Sequence, residues 1–310
     1  MIYYDSKSTD PRYNCALESY LWHNHDDEEI LLLWIDDTSV VVGRDQNVFS
    51  EVDMQIVGKA GVPVIRRNTN GGTVFHDLGN LNFAIIARSD SKEDDFERFL
   101  HPITLALKKL GVNAEIENGS ELGIDGFKIS ENSQKHEIDG WVLHEGTLLF
   151  DSDLDILRFY TKQTGAQIIS KTNVEASTRR LVTNIKNYCK EDLTIQDLMQ
   201  VLIEEFIGKD AKRHHLHAPQ HELIQKNAME RYAGWEWTFS KNATFKFHKN
   251  CFFKGYEAWV DLDVKDGIIE DGHVVSKHID LHEMQNEIIG KRYDYYELQR
   301  LMPNRVNLFF

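Results

Sequence analysis

The sequence predicts an α+β protein in two parts, a mixed-sheet domain over residues 1–235 and a small α+β domain over residues 236–310. In the first part, short runs rich in β-branched residues alternate with stretches of helical period. After residue 235 the pattern changes to successive strand-like runs followed by two helical segments. A length of 310 residues also fits about two domains.

The elements of the first part follow from local patterns. Apolar residues at helical spacing over 13–22 predict an amphipathic helix. The runs 29–35 and 39–43 are separated by only a few polar residues, so we expect them to be paired strands. Further strands are predicted over 63–66, 82–87, 127–130 and 141–150, and further helices over 94–110, 151–160 and 195–207. Thr194 and Asp197 give the last helix a capping-box start.

The small C-terminal domain is predicted from turn and strand signals. Trp235-Glu236-Trp237 is expected to open the strands, and Asp266-Gly267 between the runs 256–264 and 268–275 predicts a hairpin. Two helices are expected to follow, the first ending at Gly290.

The charge balance limits the class of partner. The sequence has 35 Lys and Arg against 50 Asp and Glu, a net charge of −15, which argues against nucleic-acid and anionic-membrane binding. The first twelve residues lack a basic region followed by an apolar stretch, and no apolar run is long enough to span a bilayer. We therefore expect a cytoplasmic protein.

Cysteines and histidines give weak signals. Cys15, Cys189 and Cys251 are far apart, so neither a disulfide framework nor a structural zinc site is expected. Four histidines cluster within 213–222 without cysteines or ordered carboxylates, so a solvated segment is favoured over a metal site. Trp22 and Trp34 are expected in the core, with the wall of an apolar tunnel as the alternative.

The segment 66–80 is the most unusual in the sequence and reads R-R-N-T-N-G-G-T-V-F-H-D-L-G-N. Adjacent glycines let backbone N–H groups approach an anion closely, and arginine offers a planar donor fork to the same groups. Val74 and Phe75 would wall an apolar slot. A glycine-rich hairpin with two surface arginines is the alternative. Neither the Rossmann fingerprint nor a P-loop is present.

This segment resembles R-R-x-[ST]-G-G-G-[AT]-V-[FY]-H-D-x-G-N of the lipoate–protein ligase family. Four other segments are similar to that family's V-V-I-G-R-x-Q-N, D-G-x-K-I-S, G-T-L-L and R-V-T-N motifs, at 40–47, 125–130, 146–149 and 181–184. Order and spacing hold over roughly residues 10–300. The resemblance implies the biotin/lipoate protein ligase fold.

The resemblance also implies an activity, in which ATP activates lipoate as lipoyl-AMP and the acyl group passes to a lysine of an acceptor protein. The acceptor would be glycine-cleavage H protein or an acyltransferase subunit of a 2-oxoacid dehydrogenase. Mg²⁺ would accompany the triphosphate. Lys128 matches the family's catalytic lysine, which offsets repulsion between the two anions. The matching positions for ATP and lipoyl-AMP binding are Arg67, Gly71, Gly72, Thr73, Val74, Phe75, His76, Asn80 and Lys128.

Some positions depart from the family pattern, namely Asn70, Ser120, Glu121, Glu131 and Glu145. Added carboxylates are expected to destabilise an anionic intermediate unless a cation offsets them. If the enzyme is active, a local basic island around Arg66, Arg67 and Lys128 has to remain able to bind anions despite these carboxylates. The sequence leaves three alternatives to the ligase open: an enzyme using another acyl donor, an ATP-independent octanoyl- or lipoyl-transferase, and a non-catalytic binder of lipoate or lipoyl domains. Cysteine is absent from 111–188, which counts against a thioester transferase.

Overall fold

The computed structural model describes residues 1–89, 95–160, 167–170 and 180–310. The strands are β1 (Ile2–Asp5), β2 (Ile30–Ile35), β3 (Ser39–Val42), β4 (Val64–Arg66), β5 (Val74–His76), β6 (Asn80–Arg88), β7 (Glu115–Glu117), β8 (Glu121–Ile124), β9 (Phe127–Ser130), β10 (Asn132–His136), β11 (Trp141–Leu149), β12 (Gln167–Ser170), β13 (Phe245–Phe253), β14 (Tyr256–Lys265) and β15 (Ile268–Ser276). The helices are α1 (Pro11–His23), α2 (Val48–Glu51), α3 (Met54–Ala60), α4 (Phe96–Lys109), α5 (Leu154–Tyr160), α6 (Ile195–Phe206), α7 (Ala218–Asn227), α8 (His282–Ile288) and α9 (Tyr295–Leu301). Within these ranges no helix is long and apolar enough to cross a membrane.

The chain divides into two compact units. The first unit comprises Met1–Arg44, Ile65–Leu157 and Thr178–Ala233. The second is assembled from three segments, Asp45–Val64, Arg158–Ser177 and Gly234–Phe310. The division of roles at residue 235, with a catalytic domain before it and an accessory domain after it, stays a prediction.

The first unit is built on a five-stranded mixed sheet of order β1-β2-β6-β11-β10, in which β1 and β2 are parallel and the other pairs antiparallel. Two small sheets, β4-β3-β5 and β7-β8-β9, accompany it. The predicted α+β fold with a mixed sheet is therefore confirmed.

Strand β6 shows how the sheet separates core from site. Leu81, Phe83 and Ile85 belong to a buried cluster that includes apolar residues of α4 and α6. Successive side chains of a strand point to opposite faces, so Asn82 lies on the other face. Apolar burial of this kind stabilises by roughly 25 cal/mol per Å².

The second unit has a four-stranded sheet of order β12-β13-β14-β15. The predicted hairpin between β14 and β15 is confirmed, and Asp266 (φ +50°) and Gly267 (φ +76°) form its left-handed turn. Aromatic packing fills the core of this unit: the ring of Phe49 lies 5.3 Å from Phe245 and 5.0 Å from Tyr293, centre to centre.

Several local predictions are confirmed. The capping box of Thr194 and Asp197 starts α6. Asp95 caps the helix predicted over 94–110, which begins at Phe96; residue 94 lies outside the described residues.

Two local predictions are wrong. Strands β2 and β3 are not paired, since β2 pairs with β1 and β6 while β3 pairs with β5. The reason is that Asp36 between them is a buried anchor instead of a surface-turn residue. The Trp-Glu-Trp segment is helical, with Glu236–Ser240 in a π-helical turn. Helical spacing places Trp235 and Phe239 on one face, where their rings stack 4.9 Å apart.

Candidate active site

Lys128 is fixed where two of the sequence motifs meet. It lies in β9, which forms a hairpin with β8. The Lys128 backbone N–H donates to the Leu181 carbonyl at 2.9 Å, and the Thr183 N–H donates to the Lys128 carbonyl at 3.1 Å. The segment 181–184 thus holds the backbone of Lys128 and determines where its side chain begins.

The Lys128 ammonium is paired with two carboxylates. Its Nζ lies 3.3 Å from Glu121 Oε1 and also contacts Glu131 Oε2. The other oxygen of Glu121 accepts from Arg180 at 2.6 Å, and Arg180 also donates to Glu117 at 2.6 Å. Burial acts to raise the pKa of Glu121, but the hydrogen bonds and cationic neighbours outweigh it and leave that pKa below its usual value. Two cations and three carboxylates therefore form one network.

The Arg67 guanidinium braces the glycine loop. Its Nε lies 2.8 Å from Glu145 Oε1 and 3.2 Å from the Thr69 hydroxyl. Its terminal nitrogens donate to the carbonyls of Gly72 at 2.8 Å and Asn70 at 2.5 Å. Each guanidinium nitrogen therefore donates either to this loop or to Glu145, and Arg67 holds the loop in shape.

The glycine loop passes very close to the preceding motif. A Cβ built at Gly43 would lie 2.1 Å from the Gly71 carbonyl oxygen, a distance that no side chain tolerates. Gly71 also has φ +91°, in the region that favours glycine. Close backbone approach thus explains Gly43, and the left-handed backbone explains Gly71.

Arg66 does not contribute an open cation. It is fully buried and donates to the carbonyls of Gly43 at 2.9 Å and Arg44 at 3.0 Å. Of the predicted basic island, Lys128 has the contacts best placed for exchange with a substrate anion.

A cavity of about 30 Å³ lies in the first unit beside Arg67. Helix α1 and strands of both the five-stranded sheet and the β4-β3-β5 sheet contribute to its walls. The lining residues are Cys15, Glu18, Trp34, Asp36, Val41, Arg67, Val74, His76, Asn82, Glu131, Asn132, Ser133, Glu145, Gly146 and Thr147.

A buried carboxylate, Asp36, organises the polar wall of this cavity. His76 Nδ1 lies 2.7 Å from Asp36 Oδ2, which also accepts from the Trp34 indole at 3.1 Å and the Asn82 amide at 3.3 Å. When Nδ1 donates to this oxygen, Nε2 is the acceptor nitrogen of the neutral imidazole. That Nε2 is buried and has no hydrogen-bond partner among the described residues.

Two carboxyl groups meet at the same wall. Burial, then the charge of Glu145 and a hydrogen bond with it, raise the pKa of Glu18 well above its usual value. Glu145 is the carboxyl that contacts the Arg67 guanidinium, and Glu18 is the one whose neutral form burial favours. The Asn68 amide donates to Glu18 at 3.3 Å. Burial also raises the pKa of the Cys15 thiol well above its usual value.

His144 precedes Glu145 but belongs to the core. Its Nδ1 lies 2.9 Å from the Gln134 amide nitrogen, and its ring stacks on Phe99 at 5.0 Å and Phe83 at 5.8 Å. Burial lowers the pKa of His144 to about 3, so the ring is neutral near pH 7.

The predicted site residues fall into two groups. Arg67, Val74 and His76 line the cavity, and Lys128 reaches it through its contact with Glu131. These four are brought together in the first unit.

The remaining predicted residues lie around that group. The loop 71–73 is held by Arg67, while Phe75 is buried in β5 opposite Val40. Asn80 is buried behind the cavity and donates to Asn82 at 2.8 Å. Phe75 and Asn80 therefore support the wall without lining it.

Sequence patterns did not single out several residues of the site. Cys15 and Glu18 are three positions apart on α1, so they share a helix face, and that spacing was an available signal. Trp34 is buried, as expected of a core residue, and also lines the cavity. No local pattern marked Arg180 as the partner of Glu121.

No group of three or more His, Cys, Asp or Glu side chains is placed to hold a metal ion in the part of the chain that the structure describes. Mg²⁺ carried by a nucleotide takes phosphate oxygens with one or two carboxylates. Glu131, whose side chain is 26 % exposed, is paired with Lys128. A metal that arrives with ATP would therefore take most of its ligands from the phosphates.

Solved structures identify the fold class. The chain is similar to LipL1 of P. falciparum in complex with lipoate, with a TM-score of 0.66 and 23 % identity over 98 % of this chain and 94 % of that one. It is also similar to a lipoate-protein ligase A bound with ATP, with a TM-score of 0.63 and 24 % identity over 77 % and 96 % of the two chains. These similarities establish a lipoate–protein ligase fold, as the motifs predicted.

Sequence comparison identifies the family. The family profile described as "Lipoyl protein ligase A/B catalytic domain" matches residues 10–207. Lipoate-protein ligase LplJ of Bacillus subtilis is 30 % identical over 308 residues, 95 % of this chain and 91 % of its own. Lipoate–protein ligase 1 of Staphylococcus aureus is 30 % identical over 300 residues, 95 % and 90 % of the two chains. The chain therefore belongs to the lipoyl protein ligase A/B family.

Proposed function

We propose that the protein is a lipoate–protein ligase that uses ATP to form lipoyl-AMP and then lipoylates a lysine of an acceptor protein. The observation that carries the proposal is the position of Lys128. Its ammonium contacts Glu131 at the wall of a narrow cavity whose apolar surface includes Trp34 and Val74. A cation at such a cavity suits a carboxylate with an apolar tail. Relatives named as lipoate–protein ligases support the substrate, and a related ligase bound with ATP supports the nucleotide.

In the first step a carboxylate oxygen of lipoate attacks the α-phosphorus of ATP, and the bond to pyrophosphate breaks. Both reactants are anions, so the step needs positive charge at the reacting oxygens. Lys128 supplies it, because its backbone is pinned at both polar atoms and its ammonium is already directed at carboxylate oxygens. Mg²⁺ bound to the triphosphate adds further charge neutralisation when present.

The tail of lipoate occupies the cavity in this proposal. Trp34, Val41 and Val74 supply apolar contact, and the Asp36–His76 pair fixes the polar wall. With a volume of about 30 Å³, the cavity has to widen by side-chain movement before an acyl chain enters.

In the second step the amine of the acceptor lysine attacks the carbonyl of the mixed anhydride and AMP leaves. A positioned amine is sufficient, so no protein nucleophile is required. Cys15 does line the cavity, but burial keeps its thiol protonated. A protonated thiol is a poor nucleophile, which favours the ligase over a thioester transferase.

The acceptor is a lipoyl-type protein domain, with glycine-cleavage H protein and the acyltransferase subunits of 2-oxoacid dehydrogenases as the candidates. A lipoate protein ligase of Thermoplasma acidophilum, studied structurally with its E2 lipoyl domain, supports this class of partner.

A pyrophosphate-release assay with ATP and lipoate tests the proposal. The ligase releases pyrophosphate, whereas an ATP-independent transferase or a binder does not. Mass spectrometry of purified H protein and of a lipoyl domain, each incubated with the complete mixture, identifies the acceptor by addition of one lipoyl group. A protein that binds lipoate but never releases pyrophosphate contradicts the proposal.

A further inference from the structure

Glu131 occupies the position at Lys128 where a substrate anion is needed. Its Oε2 contacts Lys128 Nζ, and the same residue lines the cavity. Its carboxylate therefore stands between the proposed acyl site and the ammonium that has to act on the reacting oxygens.

The backbone and the side chain of Glu131 differ in freedom. The Glu131 N–H donates to the Thr147 hydroxyl at 3.2 Å, and the Thr147 N–H donates to the Glu131 carbonyl at 3.0 Å. The backbone is thus attached to β11 at both polar atoms. The side chain, by contrast, is 26 % exposed, and it forms an ion pair with Lys128. Rotation of the side chain alone can take the carboxylate into water.

Glu121 differs from Glu131 in both respects. Its side chain is only 10 % exposed, and Arg180 and Asn118 hold its second oxygen at 2.6 and 3.0 Å. Releasing Glu121 would leave Arg180 without one of its two carboxylate partners. Of the two carboxylates on Lys128, Glu131 is therefore the one that can leave.

The charges require such a departure. In the network around Lys128, two cations face three carboxylates, so the free site is net negative and repels a carboxylate or phosphate. When Glu131 rotates away and an anionic oxygen takes its place, the ammonium exchanges one oxygen partner for another. Lys128 then remains paired throughout, which avoids the large penalty of an unpaired buried charge.

We propose that Glu131 is a positioning residue that occupies the anion site of Lys128 in the free protein and is displaced by an anionic oxygen of the substrates. The inference rests on the proposed function, because it assigns the displacing oxygen to the carboxylate of lipoate or to a phosphate of ATP. Glu131 keeps Lys128 extended toward the cavity and competes with the substrate for it.

Three variants test the proposal. Glu131→Gln keeps the shape and removes the charge. Glu131→Asp keeps the charge but is one methylene shorter, so its carboxylate lies farther from Lys128 on the same backbone. Glu205→Gln is the matched control, because Glu205 pairs with Lys109 at 2.5 Å with a side chain 18 % exposed. Calorimetry measures the dissociation constants of Mg²⁺–ATP alone and of lipoate alone, and thermal unfolding confirms that each variant is folded.

We expect Glu131→Gln to bind one of the two ligands about threefold to tenfold more tightly, the range of one partly screened ion pair. Glu131→Asp is expected to show a smaller gain in the same direction, and Glu205→Gln to match the unmodified protein. The ligand whose affinity rises identifies whether a carboxylate or a phosphate replaces Glu131.

Other outcomes overturn the proposal. If Glu131→Gln gains affinity but Glu131→Asp does not, the effect is repulsion through space and Glu131 is no occupant. Weaker binding by Glu131→Gln would make Glu131 a ligand of the substrate. If the affinities are unchanged and the enzyme is active, the role of Glu131 is refuted but the proposed function stands. If the unmodified protein releases no pyrophosphate, the proposed function is refuted, and the binding measurements still decide the role of Glu131.

Discussion

Arg67 and Glu145 form a buried ion pair, with Nε 2.8 Å from Oε1 and both side chains less than one-tenth exposed. Glu121 and Glu131 likewise pair with Lys128. From the sequence we expected these three acids to weaken an anion site. The structure shows that they neutralise its buried cations, which would otherwise lie unpaired at high energetic cost. The protein therefore keeps its cations in place by internal pairing, and ligand binding becomes an exchange of partners.

Replacing Lys128 by alanine is expected to abolish formation of lipoyl-AMP, because no other described cation contacts the cavity-lining Glu131. Loss of one charge-stabilising donor commonly lowers a rate by about 10²–10³. The measurement is pyrophosphate release with ATP and lipoate. Lys109→Ala, which breaks a surface pair with Glu205, should retain activity. Normal adenylate formation by Lys128→Ala would refute the assigned role.

Replacing Glu145 by alanine is expected to lower the free energy of unfolding by about 3 kcal/mol, because it leaves the Arg67 guanidinium without its buried carboxylate. Glu145→Gln should lose less, since its amide oxygen still accepts from Arg67. Urea unfolding measures both. Glu230→Ala, at an exposed pair with Lys226, should change stability by less than about 0.5 kcal/mol. Equal losses at the two sites would contradict a structural role for the buried pair.

Replacing Cys15 by alanine separates the ligase from a thioester transferase. Because the thiol is protonated and only forms part of the cavity wall, we expect lipoyl transfer to fall by less than about tenfold, the size of a small packing change. The measurement is lipoylation of the acceptor by mass spectrometry. Complete loss of transfer in a variant that still forms lipoyl-AMP would indicate a covalent role for Cys15.

The decrease in the free energy of unfolding at acid pH should depend on His144. Its pKa of about 3 in the folded protein lies below the ordinary 6.5, so the unfolded chain binds the proton first. The stability from this group is therefore complete above pH 6.5 and is lost as pH falls toward 3, about 5 kcal/mol in all. Urea unfolding at pH 7, 6 and 5 should show a steeper decline for the unmodified protein than for His144→Phe. Parallel declines would mean that the imidazole is charged in the fold.

Much of the fold was predictable because its main elements carry continuous local patterns. The run that became β6 is almost wholly apolar. Asp266-Gly267 specifies the β14–β15 hairpin through its backbone conformation alone. Short strands such as Ile2–Asp5 and Glu115–Glu117 escaped prediction, since three or four residues are too few to show a period. The 45–64 segment also escaped, because its place in the second unit depends on distant contacts such as that of Phe49 with Tyr293.

Only the residues of the site that lie within sequence motifs could be predicted. Lys128 and the glycine loop lie within short patterns, whereas their partners come from elsewhere in the sequence. Glu145 is far from Arg67 along the chain, and nothing local indicates that the two side chains meet. From its charge alone, Glu145 was expected to weaken anion binding at the site. A sequence gives the sign of a charge but not the atoms that lie beside it.

The second unit is assembled from three separated stretches, and this affects the protein during its synthesis. Phe49 leaves the ribosome well before its ring partners Phe245 and Tyr293 are made. The Phe49 ring therefore lacks these packing partners until residues 245 and 293 have been translated. Contacts between residues so distant in sequence also form slowly. The aromatic core of the second unit is therefore completed only once Phe245 and Tyr293 have been made.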